Sequence, residues 1–272
     1  MKYYKNVNNK KNNMGILSNK TALITGSSSG IGKSIATKFA QEGANVVITY
    51  HSGKERAKKI EEELSSLKIK VKAYQVDVSD LVEIQKLFHL VEKDFRDIDI
   101  LVNNAGINGQ NITIEDMSLD TWDKTIKTDL YGPFYCIKEF LNLKKKNNSY
   151  KGSRIINVTS IHEYICKPGN ADYNSAKAGM RNLARTLAIE LAPKELTVNN
   201  IAPGMILTPM NKKVMDEAED LKKKENIIPM KRAGSPEEVA NVALFLASQA
   251  SSYVTGSTYT VDGALSILGQ DA

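Results

Sequence analysis

The chain has 272 residues, 42% of them hydrophobic and 25% charged, with a formal net charge of +6. This length and balance fit one α/β domain with a sizeable core, and exclude a disordered or fibrous chain. The basic residues are scattered without interleaved aromatics, which argues against a nucleic-acid partner, and no apolar run is long enough to cross a bilayer.

The first segment, residues 1–17, is rich in Lys and Asn and lacks the apolar centre of a signal peptide. It is expected to be a disordered tail, with Met14-Gly15 as the more natural start and residues 18–272 as a single domain. Ala22-Leu23-Ile24 reads as the first strand. It runs straight into Thr25-Gly26-Ser27-Ser28-Ser29-Gly30-Ile31-Gly32, and Ile31, Ile35, Phe39 and Ala40 then recur on one helical face that Gly43 closes. A glycine-rich turn between a strand and a helix lets the backbone approach a pyrophosphate at the positive end of the helix. Gly32-Lys33-Ser34 also ends like a phosphate-binding P-loop. That motif needs its first glycine at position 27, which is Ser27, and Gly26 stands one residue too early.

The second strand, Val46-Val47-Ile48, leads to Thr49-Tyr50-His51-Ser52. A carboxylate at this point would bind an adenine-ribose 2′-hydroxyl and repel a 2′-phosphate. There is none, while Lys33, Lys54 and Arg56 lie near, so NADP is favoured slightly over NAD. Further strands are expected at Val71 to Val76, Ile98 to Val102, Ile155 to Val158, Val198 to Ile201 and Tyr259 to Val261. Between the third and fourth, Leu81, Ile84, Leu87, Phe88, Val91 and Phe95 form a helical stripe. Lys144 to Lys151 is expected to be a surface loop. Thr208 to Ile228 reads as a charged, helical insertion that caps the site, and Ser235-Pro236-Glu237-Glu238 reads as a capping box. The alternation predicts a doubly wound α/β sandwich.

Ser160 falls at the carboxyl end of the fifth strand, where such sheets carry their ligand sites. Tyr173 and Lys177 follow in the next helix, one turn apart and on one face. A phenol titrates at about 10, too high for an easy general base, and a neighbouring ammonium favours its ionised form. The four-residue spacing thus has a chemical reason. The two cysteines, Cys136 and Cys166, form no Cys-x-x-Cys pair and read as free thiols in a reducing cytoplasm; His51, His89 and His162 lack metal-ligand spacing.

The set of motifs from about Lys20 to Gly263 resembles the short-chain dehydrogenase/reductase family. It comprises Thr25-Gly-x-x-x-Gly-Ile-Gly32, Asn103-Asn104-Ala105-Gly106, Ser160, Tyr173-x-x-x-Lys177 and Pro203-Gly204. The resemblance implies a single Rossmann-like domain with a seven-stranded parallel sheet and helices on both faces, assembled as a homotetramer. It implies an alcohol or carbonyl substrate, with Tyr173 as acid/base, Lys177 on the nicotinamide ribose and Ser160 holding the substrate oxygen. Gly26, Ser28, Gly30, Ile31 and Gly32 would bind the cofactor, joined by Tyr50. Asp77 with Val78, and Asn104, Ala105 and Gly106, would lie beside its adenosine half. Pro203, Gly204 and Thr208 would surround its nicotinamide end and pyrophosphate. Asp129 stands where the family usually has an Asn that bonds a water behind the lysine; it is expected to keep that relay working. Ala264 stands where a Gly often follows Asp262-Gly263.

Thr159 to Glu163 is similar to a Ser-Val-His-Glu stretch of glucose 1-dehydrogenases, so His162 and Glu163 are expected to meet sugar hydroxyls, the alternative being that they shape the loop. The chain also resembles 3-oxoacyl-carrier-protein reductases. A dinucleotide-binding regulator without catalysis is the remaining reading, disfavoured by the intact Ser160, Tyr173 and Lys177.

Overall fold

In the computed structural model, residues 15–211 and 218–268 are described. Seven strands form one parallel sheet: β1 (Thr21–Ile24), β2 (Asn45–Tyr50), β3 (Val71–Gln75), β4 (Ile100–Asn103), β5 (Arg154–Val158), β6 (Thr197–Pro203) and β7 (Thr258–Val261). Their order is β3-β2-β1-β4-β5-β6-β7. The chain leaves β1 in one direction across the sheet and returns to its other side with β4. Such a reversal opens a crevice at the carboxyl ends of the two strands.

The two-residue period of the strands divides their side chains between two cores. Ala22, Ile24, Val46, Ile48, Ile100 and Val102 face one, while Leu23, Val47 and Leu101 face the other. On the first face lie α1 (Gly30–Gln41), α2 (Lys54–Ser65) and α8 (Pro236–Ala247). On the second lie α3 (Leu81–Phe95), α5 (Gly132–Asn147) and α6 (Ala171–Leu191). Phe39 and Phe140, one in each core, are fully buried, each stabilising the fold by about 1.5–3 kcal/mol relative to an exposed ring. Two shorter helices, α4 (Leu119–Ile126) and α7 (Ala218–Ile227), complete the described set. None of the helices among the described residues is long and apolar enough to cross a membrane.

Several boundaries differ from the sequence expectation. Leu17 is buried in the first core and its N–H donates to the Glu42 carbonyl at 2.9 Å. The expected tail therefore gives way to packed chain by Gly15, and residues 1–14 lie outside the described residues. Leu81 is 39% exposed because it is the first residue of α3, beside the N-cap Asp80. Lys144 belongs to the last turns of α5 rather than a surface loop. It is 1% exposed and its Nζ lies 3.1 Å from Asp97 Oδ2. Burial pushes the Lys144 ammonium down and the Asp97 charge offsets part of that push. Of the expected 208–228 insertion, α7 and the 209–211 turn are seen, and 212–217 lie outside the described residues. Cys136 is buried, which pushes its thiol up to about 12; Cys166 is exposed.

The capping box is formed as read: Glu238 accepts from the Ser235 N–H at 2.8 Å, and Ser235 Oγ accepts from the Glu238 N–H at 3.4 Å. The Arg232 guanidinium, with the Ser235 N–H, pushes the Glu238 carboxyl down to about 2. A depressed carboxyl contributes stability above its unfolded value of about 4.3, and loses it as pH falls through its folded value. Glu238→Gln is therefore expected to lower the thermal midpoint near neutrality, with the gap closing as pH approaches about 2. A gap that stays constant down that titration would contradict this assignment.

Candidate active site

The glycine loop is laced to the end of β4. Thr25 Oγ1 accepts the N–H groups of Asn104 and Ala105, both at 2.9 Å. The Asn104 amide in turn donates to the carbonyls of Thr25 (2.9 Å) and Gly26 (3.2 Å). Gly26 has φ +64°, and a Cβ there would come 2.9 Å from Ala105 Cα. Both the backbone conformation and the close approach require glycine. Gly32 plays a different part from the one expected: it does not line the crevice. A Cβ on it would come 2.6 Å from the Gly26 carbonyl, so it lets α1 pack close behind the loop. Ser27 is likewise turned inward, donating to the Ile24 carbonyl at 2.8 Å, whereas Ser28, Gly30 and Ile31 face the crevice.

The crevice has a volume of about 780 Å³, within the roughly 300–1,000 Å³ of small-molecule and cofactor sites. At its β2–β3 end it is lined by Tyr50, His51, Ser52, Arg56, Asp77 and Val78. Asp77 accepts from the Ser79 N–H (2.9 Å) and Oγ (2.7 Å), and lies 3.7 Å from His51 Nε2. Of the three bases noted in the sequence, Arg56 lines the crevice. Lys33 instead lies 3.9 Å from Glu63, and Lys54 is exposed outside the lining. Asn104, Ala105, Gly106, Pro203, Gly204 and Thr208 also line the crevice, and Thr208 lies against the glycine loop, where a Cβ on Gly30 would come 3.4 Å from the Thr208 Cβ. The open cradle at the start of α1, with the N–H groups of its first turn unpaired within the helix, suits a dinucleotide pyrophosphate.

Ser160, Tyr173, Lys177 and Asp129 meet at the β5 end of the same crevice. Ser160 is 7% exposed and its Oγ accepts the His162 N–H at 3.2 Å. Tyr173 stands in the first turn of α6, and Lys177 Nζ lies 5.3 Å from the centre of its ring. Asp172, fully buried beside it, accepts from the Thr125 hydroxyl and the Tyr173 N–H, both at 2.7 Å. That pins the start of α6 to α4, a role the sequence reading missed.

Asp129 lies in a π-helical turn, Lys127–Tyr131, between α4 and α5. Such turns carry an extra residue and re-aim side chains. Asp129 is fully buried; its Oδ2 lies 3.0 Å from Lys177 Nζ, and its Oδ1 accepts the Ile107 N–H at 2.8 Å. The carboxylate thus touches the lysine itself. Burial raises the Asp129 carboxyl against the opposing pull of Lys177. Burial also disfavours the Lys177 charge, but Asp129, Tyr173 and Glu163 outweigh it and its pKa is raised. Both shifts run towards the protonated form, so Lys177 stays an ammonium. Gly106 makes room for the pair: a Cβ there would come 2.8 Å from Asp129 Oδ2 and 3.3 Å from Lys177 Nζ.

His162 and Glu163 do not line the crevice. His162 Nδ1 is 2.9 Å from the Ile165 carbonyl, and its ring stands edge-on to Tyr173 at 6.0 Å. The Glu163 side chain is fully buried, 3.3 Å from Arg181 Nε, so the expected sugar contact is corrected to an internal one. Arg181 was missed; its signal was the helical period continued one turn beyond Lys177. Among the described residues no group of three or more His, Cys, Asp or Glu is placed to hold a metal ion.

Residues 26–266 match a family model described as Enoyl-(Acyl carrier protein) reductase. The chain is 41% identical over 254 residues to glucose 1-dehydrogenase 2 of Bacillus subtilis, covering 92% of this chain and 96% of that one. It is 38% identical over 247 residues to the 3-oxoacyl-[acyl-carrier-protein] reductase FabG of Staphylococcus epidermidis, covering 91% and 99%. A crystal structure of a provisionally assigned gluconate dehydrogenase from Agrobacterium tumefaciens superposes with a TM-score of 0.87 at 31% identity, covering 94% of this chain and 100% of that one. With the motifs, sheet order and crevice described above, these likenesses place the chain in the short-chain dehydrogenase/reductase family of nicotinamide-dependent oxidoreductases.

Proposed function

We propose that the protein oxidises an aldose at its C1 hydroxyl with NADP, in the manner of a glucose 1-dehydrogenase. The observation that carries the chemistry is the convergence of Ser160, Tyr173 and the Asp129–Lys177 pair on a crevice that begins at the glycine loop. A bound nicotinamide would accept the hydride. Tyr173 takes the proton from the substrate hydroxyl, Ser160 Oγ holds that oxygen, and Lys177 supplies the positive charge that favours the proton's departure. Gly26, Ser28, Gly30 and Ile31 would hold the pyrophosphate, and Pro203, Gly204 and Thr208 would surround the nicotinamide end and pyrophosphate. NADP is preferred over NAD because Arg56, His51 and Ser52 line the crevice beyond β2, and no carboxylate ends that strand. The family resemblance supports a cytoplasmic homotetramer.

The aldose reading draws on the Bacillus relative and on the likeness of Thr159 to Glu163 to that group's sequence. Because Glu163 is turned inward, that likeness supports a shared turn rather than a shared sugar contact. A second reading, reduction of a 3-oxoacyl thioester, draws on the Staphylococcus relative at nearly equal identity and coverage. Absorbance of the reduced nicotinamide decides between them, with D-glucose and with an acetoacetyl thioester, each paired with either cofactor. Glucose-dependent reduction of NADP is the expected result. Thioester-dependent oxidation alone would move the protein to the second reading.

A further inference from the structure

Glu163 and Arg181 lie outside the crevice lining, yet they join the two elements that the reaction must hold in register. One is the turn that begins with Ser160. Its Oγ accepts the His162 N–H at 3.2 Å, and its carbonyl accepts the Glu163 N–H at 2.9 Å. The other is α6, on which Tyr173, Lys177 and Arg181 follow one another at intervals of four and so share a stripe. The third residue after Ser160 thus reaches the helix one turn beyond the catalytic lysine.

The cost of this arrangement is visible. The Glu163 side chain is fully buried and that of Arg181 is 41% exposed. Burial raises the Glu163 carboxyl, with the Thr159 and Thr258 hydroxyls and the charges of Arg181 and Lys177 offsetting part of the rise. A buried ion pair of this kind adds little net stability compared with apolar side chains of the same volume. It does fix two elements in one geometry. We infer that the Glu163–Arg181 pair is a strut that sets Ser160 at its working distance from Tyr173, making both of them positioning residues for proton transfer.

The inference rests on the roles given above to Ser160, Tyr173 and Lys177. Arg181→Gln is the primary test, because its half-exposed side chain can be changed without a buried cavity. It is expected to lower kcat by about tenfold, as a misplacement of a fraction of an ångström would, and to leave KM for the cofactor within about twofold. Amide hydrogen exchange over residues 160–166 is expected to quicken. Arg181→Lys is expected to recover most of both losses, and Glu163→Gln combined with Arg181→Gln to be no worse than Arg181→Gln alone. Unchanged kcat with unchanged exchange in Arg181→Gln would overturn the strut, as would a thermal midpoint that falls while both stay at parental values. Should the parent protein turn over no alcohol or ketone, the functional reading fails by itself. Exchange over 160–166 still decides the strut: quickened exchange in Arg181→Gln supports it, and parental exchange overturns it.

Discussion

Tyr173→Phe is expected to lose about a thousandfold in turnover, as removal of a general acid/base does, while binding the cofactor as before. The substitution is unusually clean at this position. The ring keeps its edge-on contact with His162 at 6.0 Å and stays under Lys177 Nζ, which lies 5.3 Å from its centre. The N–H that anchors to Asp172 belongs to the backbone and is untouched. The glycine loop and the Arg56 end of the crevice are formed by other elements. Only the hydroxyl disappears, so a loss confined to kcat points to that oxygen. Turnover would be followed by nicotinamide absorbance, and binding by the quenching of protein fluorescence on titration with reduced cofactor. A Phe variant with a tenth or more of parental kcat would remove Tyr173 from the mechanism. Equal losses in binding and turnover would mean that the ring had moved.

What the sequence made legible is local. The strands alternate between two cores with period two, so runs such as Ala22-Leu23-Ile24 announce a sheet covered on both faces. The Thr25–Gly32 turn and the Tyr173–Lys177 spacing are each contained within a few residues, and together they point to one chemistry. Where the reading erred, the deciding partner lies far along the chain. Glu163 points inward because Arg181 and Thr258 lie behind it, from α6 and from β7. Lys144 is buried because Asp97, just before β4, reaches it. Gly32 reads from the sequence as a cofactor-binding residue, but its small size serves the packing of α1 against Asn104 and Gly26. A residue's type shows what it can do; which neighbour it does it with is set by topology.

Asp129→Asn carries the second large effect, and its sign follows from the geometry of the pair. Asp129 offers two acceptor oxygens, one to Lys177 at 3.0 Å and one to the Ile107 N–H at 2.8 Å. A neutral amide offers one acceptor and one donor. Whichever way it turns, an N–H meets either the ammonium or the Ile107 N–H. The buried Lys177 charge then loses the carboxylate that favours it. The pH dependence is fixed as well. The raised Lys177 contributes stability that is present below the ordinary lysine range and is lost as pH rises through its folded value. The raised Asp129 carboxyl takes up its proton as pH falls through a value above the ordinary aspartate range, and the parent then holds a neutral acid where the variant holds a neutral amide. Ionising that buried carboxyl costs the parent stability, so the parent is expected to lose ground to Asp129→Asn, read from urea unfolding, as pH rises from acid to neutrality. The lysine that has lost its carboxylate also gives up its proton more readily, so the alkaline limb of kcat is expected to move to lower pH in Asp129→Asn. A stability difference that does not change with pH, together with an unmoved alkaline limb, would show that the carboxylate is incidental. A large gain in turnover would show instead that the acid handicaps a site better served by an amide.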